Sequence, residues 1–252
     1  MNDTLRHNII DHIILLLLVL STGGLLFVFN RNITSISFFI FLLGIIFFSP
    51  LGFKKSLVKS VILTFLSFFL LGILNYYFAV VEQTVNKYLF HLLTVFLSLL
   101  TLFHFRNNRN NMILINRLHS TLYLVAIHAL LNFFLFFFIN EDLNVITSTY
   151  HECETFMNLF FYTTEKAMVS LFGFEFCRNQ GLFWEPGILQ AYLNILFFLE
   201  AFIRRKDKKI LFLSSFLILT TYSTTGLAIL LIQIIIYLKQ ELRRTKYVLP
   251  FL

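Results

Sequence analysis

The chain has 252 residues, of which 58% are hydrophobic and only 13% charged, and 34 are Phe. That much apolar surface cannot be hidden inside a water-soluble domain, so a soluble enzyme is excluded and the bilayer is the solvent. The formal net charge of +7 does not mark a nucleic-acid binder, because the basic residues cluster between apolar runs, where loop Lys and Arg set membrane orientation.

In chain order, apolar runs of near-spanning length fall at about 10–29, 33–50, 57–81, 88–105, 118–139 and 188–203. No small-residue cleavage site follows the first run, which therefore reads as a retained helix rather than a signal peptide. The last apolar block, Ile210–Leu238, is interrupted by Thr220-Thr221-Tyr222-Ser223-Thr224-Thr225-Gly226. It reads as two short helices, 210–221 and 225–238, whose polar turn must line a protein cavity because lipid would leave its backbone unsatisfied. Charge supports the split. With two helices there and the N-terminus inside, the outer side keeps only Arg31, Lys87, Lys166 and Arg178 of the 20 Lys and Arg, as the positive-inside rule requires. The expectation is an all-α polytopic integral membrane protein. It forms a single membrane domain over 1–252, with about eight transmembrane helices, both termini cytoplasmic and one long extracytoplasmic loop at about 140–187.

Within that loop, Phe156, Leu159, Phe160 and Thr163 recur at helical spacing, with Glu165 and Lys166 off the stripe. This predicts a short helix on the outer surface; a disordered spacer is the alternative. Cys153 and Cys177, the only cysteines, flank it. A disulfide in an oxidising compartment and a pair of free thiols both remain open.

Polar groups inside spans are costly and usually face the bundle interior. His128 and Asn132 share a face of the fifth span, and Gln190 and Asn194 share a face of the sixth. Asn75 and Gln233 stand alone. Interhelical hydrogen bonding is the plain reading of each. Glu200 precedes Arg204 by one turn, the spacing of an interfacial ion pair. His91, His104, His119 and His128 are scattered, without metal-ligand spacing. There is also no Walker loop, dinucleotide fingerprint or Gly-x-Ser-x-Gly. Neither metal nor cofactor is expected.

The stretch richest in chemistry is Arg178-Asn179-Gln180-Gly181-Leu182-Phe183-Trp184-Glu185-Pro186-Gly187, which opens the sixth span. Pro186 suits a first helical position, where its missing N–H costs nothing. Arg178 offers a planar fork of donors suited to phosphate oxygens, and a helix N-terminus adds unpaired N–H groups. Glu185 could take a proton from a hydroxyl nucleophile. From residue types alone the alternative is as good: Arg178 pairs with Glu175 or Glu185, and Glu185 complements the helix dipole.

The pattern Arg178-x-x-Gly181-x-Phe183-x-Glu185-Pro186-Gly187 at the start of a transmembrane helix resembles the signature of the O-antigen ligase and O-antigen polymerase family. The family's second signature, a short Thr-x-Ser-x-x-Gly turn between two later helices, resembles Thr221-Tyr222-Ser223-Thr224-Thr225-Gly226. The resemblance covers about Arg178–Leu238. It implies a glycosyltransferase of the bacterial cytoplasmic (inner) membrane, multi-pass, working at the outer face. Its donor would be an undecaprenyl-pyrophosphate-linked oligosaccharide, with the pyrophosphate as leaving group and no nucleotide sugar or metal. Arg178 would bind pyrophosphate, and Glu185 would bind the acceptor or act as base. Gly181, Trp184, Gln190, Asn194, Ser223 and Thr224 would line the substrate site, with Trp184 serving mainly as an interfacial anchor. Partners besides membrane lipids would be a chain-length regulator and a flippase. Glu-Pro-Gly resembles the polymerase version of the motif. O-antigen ligase, lipid-linked oligosaccharide flippase or transporter, and inactive truncated membrane subunit are the alternatives. Thr224 stands where many relatives have a basic residue, and relatives continue for further spans, so the chain resembles a shortened member.

Overall fold

Apolar runs in a bilayer can satisfy their backbone groups only as helices or closed sheets, and most of this chain is helical. The computed structural model describes residues 3–48, 54–80, 84–108, 111–147, 152–163, 168–171 and 174–248. Chain contacts divide it into two compact units, Met1–Leu118 and His119–Leu252.

The first unit contains α1 (Asp3–Ser21), α2 (Leu25–Phe29), α3 (Arg31–Phe47), α4 (Lys55–Phe78), α5 (Val85–Asn108) and the start of α6 (Asn111–Ile139). The run expected to be one span over 10–29 is broken. The Gly24 N–H donates to the Leu20 carbonyl at 2.6 Å, and the Ser21 and Thr22 hydroxyls bond the Leu18 and Val19 carbonyls at 2.7 and 2.8 Å. These bonds close α1 and release α2 as a separate turn. Ile14, Leu15, Phe27, Phe38, Leu42 and Leu97 form the centre of this unit's core. Asp11 of α1 and His104 of α5 make a buried pair at 3.4 Å, and the Arg31 guanidinium lies 3.4 Å above the Phe90 ring. α4 has no buried residue among those described.

The second unit begins within α6. The segment expected to be a surface helix is a β-hairpin. β1 (Asn144–Thr147), β2 (Glu152–Phe156) and β3 (Phe160–Tyr162) form an antiparallel sheet in the order β1-β2-β3, with Thr155 opposite Phe161. Met157 and Asn158 have φ of 54° and 55°, which reverses the chain, and Leu159 N–H donates to the Phe156 carbonyl at 3.1 Å. The burial of Cys153, Thr155 and Tyr162 follows a two-residue period. Glu165 and Lys166 lie outside the described residues. β4 (Met168–Leu171) and β5 (Phe174–Cys177) pair separately. The fold is mainly helical, consistent with an all-α membrane protein, and carries two small sheets following α6.

α7 (Pro186–Phe198) continues as a π-helical segment, Leu199–Arg204, and is followed by α8 (Lys208–Thr220) and α9 (Thr224–Val248). Between α8 and α9 the Thr220 and Thr221 hydroxyls fold back onto the Leu217 and Ile218 carbonyls, both at 2.7 Å, and Tyr222 turns the chain at φ 50°. Among the described residues, five helices are long and apolar enough to cross a membrane: Lys55–Phe78, Val85–Arg106, Met112–Asp142, Pro186–Arg204 and Thr224–Leu242. Ile9–Ser21 and Arg31–Phe47 are shorter apolar helices.

Candidate functional site

Asn179 organises the segment that leads into α7, and residue chemistry alone did not single it out. Its amide Nδ2 donates to the Ala129 carbonyl of α6 at 2.9 Å and to the Thr220 hydroxyl of α8 at 3.1 Å. Its Oδ1 accepts from Gly181 N–H at 3.2 Å and from Asn132 Nδ2 at 3.4 Å. Its own N–H donates to the Thr220 carbonyl at 3.0 Å. One buried amide thus ties three elements together, and an unsatisfied group there would cost about 1–3 kcal/mol.

Arg178, next to it, donates from Nε to the Thr221 carbonyl at 3.2 Å. It holds the C-terminal end of α8, where carbonyls lack intrahelical partners and a cation is favoured. No carboxylate among the described residues lies within ion-pair distance of it. The pairing with Glu185 is absent, and the side chain of Glu175 is outside the described set. Nε is the one guanidinium donor with a partner among the described residues. Gln180 is fully buried, and neither its Nε2 nor its Oε1 has a partner among the described residues.

Gly181 adopts φ +56° and is buried. An added Cβ would be strained there and would meet Leu189 and Ala129 at 3.4–3.5 Å. Phe183 is fully buried and stacks on Tyr192, with ring centroids 5.3 Å apart. Trp184 is 36% exposed. Glu185 is the extended N-cap residue of α7 with Pro186 at N1, and its side chain makes no capping hydrogen bond. Its Oε1 instead lies over Gly187, 3.3 Å from where a Cβ would stand.

Along α7, the Asn194 amide donates to Gln190 Oε1 at 3.0 Å and to the Gly226 carbonyl of α9 at 3.3 Å. Gln233 Nε2 donates to the Asn194 carbonyl at 3.4 Å. Gln190 and Asn194 therefore meet α9, as their shared face suggested. Gly226 permits the contact, since any Cβ on it would stand 2.7 Å from Gln190 Cδ. Ser223 precedes α9 and its carbonyl accepts from Leu227 N–H at 3.0 Å; Thr224 begins the helix and is exposed.

The two motif segments thus meet at Arg178–Thr221, and the second motif also meets α7 through Gln190 at Gly226. Through Gln190 and Gly226, near the two helix starts, α7 and α9 present their N-termini at the same end, beside the α8 C-terminus that Arg178 holds. Along α6, however, the site is set back from the helix end. Ala129, the level of Asn179, lies about 15 Å along α6 below Ile139 at 1.5 Å per residue.

At the other end of α7, Glu200 is more than an interfacial partner of Arg204. It is 1% exposed, accepts Lys206 and Asp207 N–H at 2.6 and 2.8 Å, and meets His119 Nε2 at 2.9 Å. Arg204 Nε is 4.0 Å from the same carboxylate, while its Nη1 contacts His119 Nδ1. The π segment ends at Arg205 in the left-handed region, so the carboxylate caps the backbone that leads into α8.

Cys153 and Cys177 are both buried and both free. Burial pushes the Cys153 thiol up to about 12. Burial also raises Cys177, although the Thr163 hydroxyl 2.9 Å from its Sγ favours the thiolate. No group of three or more His, Cys, Asp or Glu able to hold a metal occurs among the described residues. Comparison with family models, curated proteins and solved structures returns no match.

Proposed function

We propose that the chain is a polysaccharide polymerase that joins undecaprenyl-pyrophosphate-linked oligosaccharide repeat units at the outer face of the bacterial inner membrane. The product would be O-antigen, capsular or exopolysaccharide. The reading includes eight spans, cytoplasmic termini and an extracytoplasmic segment at about 140–187. The observation that carries it is the bond from Arg178 to the Thr221 carbonyl. It joins two sequence motifs some forty positions apart, both of which resemble one enzyme family.

The chemistry follows from what converges there. Arg178 retains guanidinium donors for pyrophosphate oxygens, and two helix N-termini add positive dipole ends toward an anion. Charge building on the departing pyrophosphate would be stabilised by donors already in position. Glu185, folded over Gly187 rather than committed to a cap, can accept a proton from the attacking sugar hydroxyl. Gln180 supports ligand binding here, because its buried amide has no partner among the described residues and a buried amide left unpaired costs about 1–3 kcal/mol.

The test is a gel of surface polysaccharide from a deletion strain complemented with the intact chain or with Arg178→Ala at matched membrane level. The intact chain should restore a ladder and Arg178→Ala should abolish it. Since Arg178 also holds α8, the purified variant's stability is measured alongside; one hydrogen bond is worth about 1 kcal/mol. A normal ladder with Arg178→Ala overturns the pyrophosphate role.

A further inference from the structure

We propose that the β2–β3 hairpin is re-entrant: its tip, Met157–Leu159, dips into the outer leaflet of the bilayer and meets acyl chains rather than water. The argument begins with α6. Leu131, Phe134, Phe137 and Phe138 are 51%, 50%, 45% and 81% exposed. A run of bare Phe and Leu needs hydrocarbon around it, so the lipid boundary reaches at least to Phe138.

The hairpin is fastened to α6 below that level. The Tyr162 hydroxyl donates to the Asn132 carbonyl at 3.0 Å. One turn lower, His128 Nε2 meets the Leu159 carbonyl at 3.0 Å, and its ring stacks on Phe160 at 5.2 Å. From Ile139 down to His128 is about 16 Å of helix, comparable with half of a hydrocarbon core of about 30 Å.

Backbone chemistry is the stronger point. β3 is an edge of its sheet, and an edge strand in lipid would leave its peptide groups unpaired. Here the Asn132 side chain serves both groups of Phe161, accepting from its N–H at 3.2 Å and donating to its carbonyl at 3.1 Å. His128 serves the Leu159 carbonyl. In water that edge would need no such service. The two polar residues on one face of a transmembrane helix thus act as a substitute strand.

Composition agrees. Glu152 and Glu154 precede the tip on β2, and Phe156-Met157-Asn158-Leu159-Phe160 carries no charge. Met157 and Leu159 are 71% and 59% exposed. Asn158 is the one polar side chain, and its left-handed backbone accounts for it.

The test attaches a spin label to Met157→Cys, Leu159→Cys and Glu152→Cys in the full chain reconstituted into liposomes. Relaxation by oxygen, which enters hydrocarbon, is compared with relaxation by a water-soluble nickel chelate. The two native thiols are buried, so the unsubstituted protein supplies the blank. Oxygen should dominate at positions 157 and 159, and the chelate at 152. Chelate access at the tip equal to that at 152 would overturn the proposal, and so would low access of both reagents, which would mean a protein contact. Asn132→Leu, which strips Phe161 of its partners, should shift the label at 159 toward chelate access; an unchanged tip would refute the edge argument. None of these readouts depends on polysaccharide synthesis.

Discussion

Gly226 has space for a hydrogen and little more. A methyl group there would stand 2.7 Å from Gln190 Cδ and 3.0 Å from its Cβ, so Gly226→Ala forces α7 and α9 apart or Gln190 out of its rotamer. Overpacking of this kind costs about 1–3 kcal/mol. The thermal midpoint of purified Gly226→Ala should fall, and adding Gln190→Ala should recover part of the loss by vacating the space. Additive losses would mean the two residues do not compete for that space. Ser67 is a fair control: among the described residues its hydroxyl bonds the Leu63 carbonyl of its own helix, at 3.0 Å, and Ser67→Ala should change the midpoint little. The residue types of the two motifs were readable in the chain. Their meeting point was not, because Asn179 works through backbone carbonyls of Ala129 and Thr220, and carbonyls carry no signature in a sequence.

The hairpin shows where pattern reading failed at the level of the element. Phe156, Leu159 and Phe160 fit a helical stripe by spacing, yet two of them flank a turn and face each other as strand partners. A three-residue tip shifts the two-residue period of the strands enough to imitate a helix, and the left-handed Met157 and Asn158 were the missed signal. His128 and Asn132 were correctly put on one face, but their partners proved to be a strand edge rather than another helix. Each of the two sheets carries one of the buried thiols, Cys153 on β2 and Cys177 on β5. With Cys153 pushed up to about 12 by burial and Cys177 also raised, neither ionises near neutrality. A maleimide should therefore label neither in native membranes at about pH 7–8 and both after denaturation without reductant. Failure to label after denaturation would reveal a bridge. A raised thiol also stabilises the fold only while neutral. Its contribution is whole below the ordinary thiol value of 9.0 and is lost as pH climbs toward about 12.

For the whole molecule, composition was enough to name the solvent, and charge placement was enough to propose an orientation. Helix lengths were harder, since α1 stops at Ser21 and α8 has 13 residues, and apolar runs do not announce their breaks. The orientation is open to a direct check. A phosphatase that is active only outside the cytoplasm should work when inserted at 148–151 and fail when fused after Leu252. The reverse pattern would invert every span and remove the proposed site from the outer face. α8 rises about 20 Å over its 13 residues, less than a hydrocarbon core of about 30 Å, and its end is where Arg178 bonds Thr221. On the proposed chemistry this fixes the dimensionality of the encounter. A lipid-borne donor would arrive sideways, by diffusion within the leaflet, while the sugar acceptor descends from the water above, and two substrates with separate entrances need not queue for one door.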